Sequence, residues 1–135
     1  MALRPEVRHV RVVVAEIEEA GRYLLTQRRA NAVFPLLWEF PGGRVEAGED
    51  DAAALSRALM ERMGLRVEVL GLSMQSSHDY EDYVVELFVY RAQALGAPQA
   101  LRVQGFAWVA PEDFESYTFP PADRAAVAQL LGIEG

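Results

Sequence analysis

The sequence predicts a single domain of mixed α/β class, in which strands precede and follow a strongly periodic helix. Three observations support this prediction. The chain has 135 residues, of which 51% are hydrophobic, and that length suits one buried core. Segments typical of strands flank the periodic helix on both sides. Because no repeat, linker or low-complexity stretch divides the chain, we treat residues 1–135 as one domain.

The first part of the chain predicts a β-hairpin followed by an irregular loop. Two apolar, β-branched segments, VRVVVAE at 10–16 and YLLTQR at 23–28, flank a turn that contains Gly21. Residues 29–37 show no clear period. The segment LWEFPGG at 37–43 follows, where Pro41 and two glycines should stop regular structure and let the backbone approach a neighbour closely.

The strongest helix prediction covers residues 52–63, AAALSRALMERM. Asp50 and Asp51 offer an N-cap and acidic groups at the positive end of the helix dipole, and Gly64 is typical of a C-terminal stop. The apolar side chains that recur every four residues are Leu55, Leu59 and Met63.

The second part of the chain predicts three more strands and two helical segments. Strands are expected at 65–74 and 83–91, around a polar turn at His78–Asp82, and at 105–110. Pro111 favours a short helical turn, and residues 120–132 predict a final helix that begins with prolines and stops at Gly132. The side chains expected in the core include Phe34, Trp38, Phe40, Leu55, Leu59, Leu87, Val89 and Trp108.

Composition excludes several classes of function. The net charge of −7 disfavours a nucleic acid polymer as partner but is compatible with a small phosphorylated ligand. Without cysteine the chain has no disulfide, thiolate metal site or thiol nucleophile. No apolar run approaches the ~20 residues of a membrane span. Arginines near the amino terminus, where a signal peptide needs an apolar stretch, favour a cytoplasmic protein.

Residues 43–65, GRVEAGEDDAAALSRALMERMGL, carry the most informative pattern. They resemble the signature of the Nudix hydrolase family, G-x5-E-x7-R-E-U-x-E-E-x-G-U, where U is a bulky aliphatic residue. The matching positions are Gly43, Glu49, Arg57, Leu59, Glu61, Gly64 and Leu65. LLTQRRA at 24–30, LWEFPGG, and WVAPEDFESYTFPPAD at 108–123 are similar to the MutT-like branch, which turns over nucleoside triphosphates. The resemblance implies an α/β/α sandwich with a mixed sheet and a loop-helix-loop motif, together with magnesium-dependent attack of water on a phosphoanhydride.

The sequence departs from the family pattern at its acidic positions. Positions 58, 61 and 62 share one helical face, where carboxylates would converge on hard cations. Ala58 and Arg62 replace two of these acids, and Glu61 remains. A third family acid falls near Arg102, counting back from Trp108. Loss of one positioned acid–base group typically lowers the rate ~10²–10⁴-fold, so hydrolysis should be weak or absent.

The resemblance also assigns candidate site residues. Glu49, Arg57 and Glu61 match catalytic positions, with Glu61 and the Gly42 carbonyl as the metal ligands that survive, although Glu49 and Arg57 are equally typical of an ion pair that braces a loop. The candidates for substrate contact are Arg28, Arg29, Arg62, Tyr80, Arg102 and Asp123. Arg28 and Arg29 are also compatible with an exposed pair, and Asp123 with a helix N-cap. Tyr83 and Phe34 are further candidates for base stacking, although core packing is favoured for Phe34.

Three functions stay open on the sequence alone. The favoured one is a Nudix-fold protein that binds a nucleotide or related phosphate, with Arg62 and Arg102 supplying positive charge in place of metal. The alternative is an active pyrophosphohydrolase that releases the monophosphate and pyrophosphate, using magnesium or manganese and an acid recruited from Glu46, Glu81 or Glu86. The third is a partner-binding or regulatory module without cofactor. The oligomeric state and any protein partner are left open.

Overall fold

The computed structural model describes residues 7–131, which form seven strands and two α-helices. The strands are β1 (Arg8–Glu19), β2 (Arg22–Gln27), β3 (Trp38–Glu39), β4 (Gly42–Arg44), β5 (Val67–Asp79), β6 (Tyr83–Ala94) and β7 (Gly105–Val109). The helices are α1 (Asp51–Met63) and α2 (Arg124–Leu131), and 3-10 turns cover Pro111–Ser116 and Pro121–Asp123. No helix in this described range is both long and apolar enough to cross a membrane.

The strands form one mixed sheet. Its order is β3-β2-β1-β6-β5, with β4 paired to β1 and β7 paired to β2. Strands β1 and β6 run parallel from Arg8↔Tyr83 to Ile17↔Ala92, whereas the other pairs are antiparallel. The parallel pair matters for function because it brings the starts of two distant segments, at residues 8–14 and 83–87, to the same end of the sheet.

Alternate residues of β1 face two separate cores. Val13, Ala15 and Ile17 pack with Leu55 and Leu59 of helix α1. On the opposite face, the second core contains Val14, Leu25, Phe40, Leu87, Val89, Val109, Phe114, Phe119 and Ala126. This two-sided burial follows from the period of two along a strand and confirms a mixed sheet between helical layers.

Helix α1 forms for the local reasons predicted from the sequence. The Asp50 side chain accepts a hydrogen bond from the backbone N–H of Ala53 (2.8 Å). At the other end Gly64 has φ 58°, and its N–H donates to the Met60 carbonyl (3.0 Å). Leu55, Leu59 and Met63 are fully buried, and each such burial stabilises the fold by roughly 1.5–3 kcal/mol.

Three sequence-based expectations are corrected. Strand β5 continues to Asp79, so His78 lies in a strand, and the turn closes where the Tyr80 N–H donates to the Tyr83 carbonyl (2.8 Å). The LWEFPGG segment contains the short strands β3 and β4. The helix predicted at 120–132 begins with a 3-10 turn at Pro121–Asp123, and α2 starts at Arg124, while Gly132 lies outside the described residues.

Candidate functional site

Two glycines place strand β4 tightly between strand β1 and helix α1. A Cβ on Gly42 would lie 2.0 Å from the Val13 carbonyl oxygen, so only glycine fits there. A Cβ on Gly43 would lie 3.0 Å from the Ala58 Cβ and 3.5 Å from Cζ of Arg62. Ala58 and Arg62 therefore sit side by side over the glycine backbone, as expected for positions four residues apart on one helical face.

Arg57 binds the acidic side chains of the motif, Glu49 and Glu61. Its Nε donates to Oε2 of Glu49 (2.5 Å), and its two terminal nitrogens donate to Oε1 of Glu61 (3.2 Å) and Oε1 of Glu49 (3.1 Å). Glu46 lies 3.7 Å away, and the Arg44 carbonyl accepts a further bond (2.9 Å). Hydrogen bonds from Arg57 and from the Glu46 N–H lower the pKa of Glu49. The loop before α1 is thus tied to the helix through one guanidinium.

This donor set does not fit a divalent cation held by the protein itself. Glu49 and Glu61 already bind Arg57, and positions 58 and 62 supply no carboxylate. Among residues 7–131, no three His, Asp or Glu side chains are arranged to hold a metal ion. Of the predicted metal ligands, Gly42 lines one cavity and Glu61 lines the adjoining one. A magnesium ion prefers about six oxygen ligands.

A cavity of about 220 Å³, the aromatic pocket, opens at the end of the sheet where β1 and β6 begin. Its floor is apolar and its walls are polar or aromatic. The floor comprises Val10, Val12, Val14, Val85 and Leu87, and the walls include Arg28, Phe34, Glu39, Tyr80, Tyr83 and Asp123. The Tyr80 ring stacks on Tyr83 (5.1 Å between centroids) and contacts Phe34 (5.4 Å). Phe34 is half-buried at this wall, so its expected place in the core is wrong.

Asp123 is a buried acid in the wall of the aromatic pocket. It is 5% exposed, and no side-chain hydrogen bond within the described range involves its carboxyl. Burial, reinforced by the charge of Glu39, raises the pKa of Asp123 well above its ordinary value, against the attraction of Arg28. Asp123 directly precedes helix α2. Across residues 7–131, no backbone N–H of the helix donates to its carboxyl, so the structure gives no support for an N-cap role.

Glu39 is a functional candidate that sequence reasoning missed. It lines the same pocket as Asp123, and Arg28 donates to its Oε1 (2.9 Å) while the Arg28 Nε donates to the Val33 carbonyl (2.7 Å). Burial raises the pKa of Glu39, and the charges of Arg28 and Arg62 oppose that shift. The signal was present in the sequence, because Glu39 is a single acid within the apolar segment LWEFP.

A second, charged cavity joins the aromatic pocket; we call it the arginine cleft. Arg28, Glu39 and Arg62 line both. The remaining charged residues of the cleft are Arg29, Glu46, Arg57, Glu61 and Arg102. The Arg102 N–H donates to the Arg62 carbonyl (2.9 Å), so the chain places these two arginines next to each other. The two cavities together form one site with an aromatic end and a cationic end.

The structure brings most of the predicted site residues into these two cavities. Tyr80 and Asp123 line the aromatic pocket, Arg28 and Arg62 line both, and Arg29, Arg57, Glu61 and Arg102 line the cleft. Gly42 borders the aromatic pocket. Glu49 is placed behind Arg57, where it braces the guanidinium.

Comparison with known proteins shows the family of this chain. The NUDIX domain profile matches residues 12–129. The CTP pyrophosphohydrolase of Escherichia coli is 33% identical over 125 residues, covering 92% of this chain and 93% of that protein. A putative 8-oxo-dGTP diphosphatase 2 of Mycobacterium tuberculosis is 34% identical over 121 residues, covering 88% and 86%. The crystal structure of a MutT NUDIX hydrolase from Burkholderia pseudomallei superposes with a TM-score of 0.81 at 26% identity, covering 90% of this chain and 98% of that one. The chain therefore belongs to the Nudix family, with MutT-like hydrolases among its relatives, as the motif at 43–65 predicts.

Proposed function

We propose that this protein binds a nucleoside triphosphate or a related nucleotide in the Nudix site and hydrolyses it weakly or not at all. The observation that carries the proposal is the junction of the aromatic pocket with the arginine cleft through Arg28 and Arg62. Nucleotides have a planar apolar base at one end and phosphates at the other, and this site offers matching surfaces. Several relatives are named as nucleotide hydrolases, including the CTP pyrophosphohydrolase and the 8-oxo-dGTP diphosphatases.

Each end of the site has a separate role in the proposal. The base stacks against Tyr80, and the buried carboxyl of Asp123 meets its hydrogen-bonding edge. The phosphates extend into the cleft toward Arg28 and Arg62, with Arg29 and Arg102 at its outer side. Guanidinium groups suit this task because they present paired N–H donors to phosphate oxygens.

Weak hydrolysis follows from the same residues. Nudix hydrolases generally use divalent metal cations, and magnesium or manganese is the expected cofactor of any residual activity. Ala58 supplies no ligand, Glu61 binds Arg57, and the positive charge of Arg62 repels a cation. Loss of one positioned acid–base group lowers a rate by ~10²–10⁴, and two such positions are changed.

The test is pyrophosphate release from a panel of nucleoside triphosphates with magnesium or manganese. The Ala58→Glu/Arg62→Glu variant should exceed the unmodified chain by roughly 10²-fold or more. Since Ala58 is buried and close to Gly43, Arg62→Glu alone is assayed beside it. Ser56→Glu/Arg66→Glu is the charge-matched control, because both positions are exposed, and it should leave the rate unchanged.

Two outcomes would replace this proposal with the alternatives. Strong turnover by the unmodified chain, abolished in Glu61→Gln, would show an active nucleoside triphosphate pyrophosphohydrolase. The intact contacts among Glu49, Arg57 and Glu61 make that the second candidate. Absence of any nucleotide affinity would favour a partner-binding or regulatory module. The single domain over 1–135 and the cytoplasmic location stay predictions.

A further inference from the structure

We propose that Arg62 replaces the divalent cation in ligand binding, so that the cleft holds the uncomplexed phosphates of a nucleotide and needs no metal ion to do so. This inference rests on the proposed function and specifies the form of the ligand. It concerns binding alone, with no step of hydrolysis.

The first step is that the acids of the motif are already neutralised. Glu49 receives two hydrogen bonds from Arg57, at 2.5 and 3.1 Å, and Glu61 receives one at 3.2 Å. Glu46 is 3.7 Å from the same guanidinium. A metal ion entering here would have to share these carboxylates with Arg57, which binds Glu49 through two hydrogen bonds, and the positive charges of Arg57 and Arg62 would oppose its approach.

The second step is the position of the Arg62 guanidinium. It lies over Gly43, and its Cζ and Nη2 atoms are each 3.5 Å from the position that a Cβ on Gly43 would occupy. Arg62 is half-buried and borders both cavities. Within the described part of the chain, no ion pair or side-chain hydrogen bond engages its guanidinium. Its donors therefore remain available to a ligand at the junction of pocket and cleft.

The third step is that the neighbouring acids are paired with other arginines. Burial raises the pKa of Glu39 and the charge of Arg62 opposes that shift, but Glu39 forms its ion pair with Arg28 at 2.9 Å, and Glu61 forms its ion pair with Arg57 at 3.2 Å. The Arg62 carbonyl accepts bonds from the backbone N–H groups of Leu101 (3.1 Å) and Arg102 (2.9 Å), which fixes a second arginine beside the first. Five arginines and three glutamates line the cleft of a chain whose net charge is −7. The cleft is thus a local cationic site that favours free phosphate anions.

The fourth step concerns the effect of magnesium. A magnesium ion bound to the phosphates lowers their charge and occupies oxygens that the guanidinium groups would bind. In a site built from carboxylates, magnesium strengthens nucleotide binding because it bridges two anionic partners. In a site built from arginines it competes with the protein for the phosphates. The sign of the magnesium effect therefore distinguishes the two kinds of site.

The experiment is calorimetric titration of the full chain with CTP and with dGTP, in EDTA and again in excess magnesium chloride. Binding should persist in EDTA and be equal or weaker in magnesium. Arg62→Gln should weaken binding in EDTA by about tenfold or more, as expected for loss of charge-assisted hydrogen bonds. Arg66→Gln, an exposed arginine outside both cavities, is the matched control and should bind as the unmodified chain does.

The outcomes separate this inference from the proposed function. Binding that disappears in EDTA and returns with magnesium overturns the inference while the proposed function stands. Equal affinity of Arg62→Gln and Arg66→Gln in EDTA, with both variants shown to be folded by circular dichroism, also overturns it. Absence of nucleotide binding in both conditions overturns the proposed function and the inference together. Arg62→Glu, in which a carboxylate returns to the cleft, should bind only when magnesium is present.

Discussion

Burial raises the pKa of Asp123 at the aromatic end of the proposed site, and the Asp123→Asn variant should therefore bind nucleotide with an affinity that depends less on pH than that of the unmodified chain. The residue is 5% exposed, and its neighbour Arg28 is engaged by Glu39 at 2.9 Å. Burial and the charge of Glu39 raise the pKa of Asp123 above its ordinary value of 3.8. Of the two carboxyls, Asp123 is the one that holds the proton, because Glu39 has the direct ion pair.

The sign of the pH effect follows from this shift. The folded chain binds the Asp123 proton more tightly than the unfolded chain, so the contribution to stability is fully present below pH 3.8 and is lost as pH rises through the raised folded pKa. A buried group left without a partner costs about 1–3 kcal/mol, and more when it is charged. The asparagine amide never ionises. At alkaline pH the Asp123→Asn variant should therefore be more stable than the unmodified chain by about 1–3 kcal/mol or more, which corresponds to several degrees in Tm.

Thermal unfolding and nucleotide titration across mildly acidic to mildly alkaline pH measure both effects. A protonated carboxyl offers both a donor and an acceptor, and so does the asparagine amide, so Asp123→Asn should retain affinity while the affinity of the unmodified chain varies more with pH. Asp123→Leu should lose about tenfold or more at every pH. Asp113→Asn, an exposed acid of the preceding 3-10 turn, is the control. Identical pH profiles for the unmodified chain and Asp123→Asn would refute the reasoning.

Two further predictions concern stability. Glu16 is 6% exposed, its Oε2 has no hydrogen-bond partner in the described residues, and burial raises its pKa, so stability should fall as pH rises through that pKa. Glu16→Gln should raise the free energy of unfolding by about 1 kcal/mol at neutral pH in urea titrations, whereas the exposed Glu19→Gln should not. Gly64→Ala should lower stability by about 1 kcal/mol or more, because φ is 58° and the new Cβ would lie 3.2 Å from Leu101. Thermal denaturation tests this, and an unchanged Tm would contradict it.

Local rules explain which parts of the fold the sequence could predict. The limits of α1 were correct to within one residue because Asp50 and Gly64 act within one turn of the helix that they cap. The limits of β2 and β7 were also correct to within one residue, because the alternation of apolar and polar side chains and the flanking turn lie within a few residues of each strand. These signals require no knowledge of distant contacts.

The errors arose where distant contacts decide the structure. The end of β5 is polar, including Ser76, Ser77 and His78, and looks like a turn, yet it pairs with β6 in register through Asp79↔Val84. Strand β3 exists because two residues pair with β2. The site has the same origin, since Glu39 and Asp123 meet only through the packing of β3 and of the turn at Pro121–Asp123 beside the start of β6.

The positions of the motif divide according to what their side chains touch. Leu59 and Leu65 are fully buried, Gly64 ends the helix in a left-handed conformation, and Arg57 ties Glu49 of the preceding loop to the helix. These matching positions hold loop, helix and sheet together, whereas Glu61, which also matches, lines the arginine cleft. Ala58 and Arg62 both face Gly43, and Arg62 also borders the two cavities. In the proposed function, the chain keeps the Nudix scaffold while Ala58 and Arg62 change the charge that it presents to a ligand. Under that proposal, a match to the motif at 43–65 identifies the fold, whereas residues 58 and 62 determine what the site can hold.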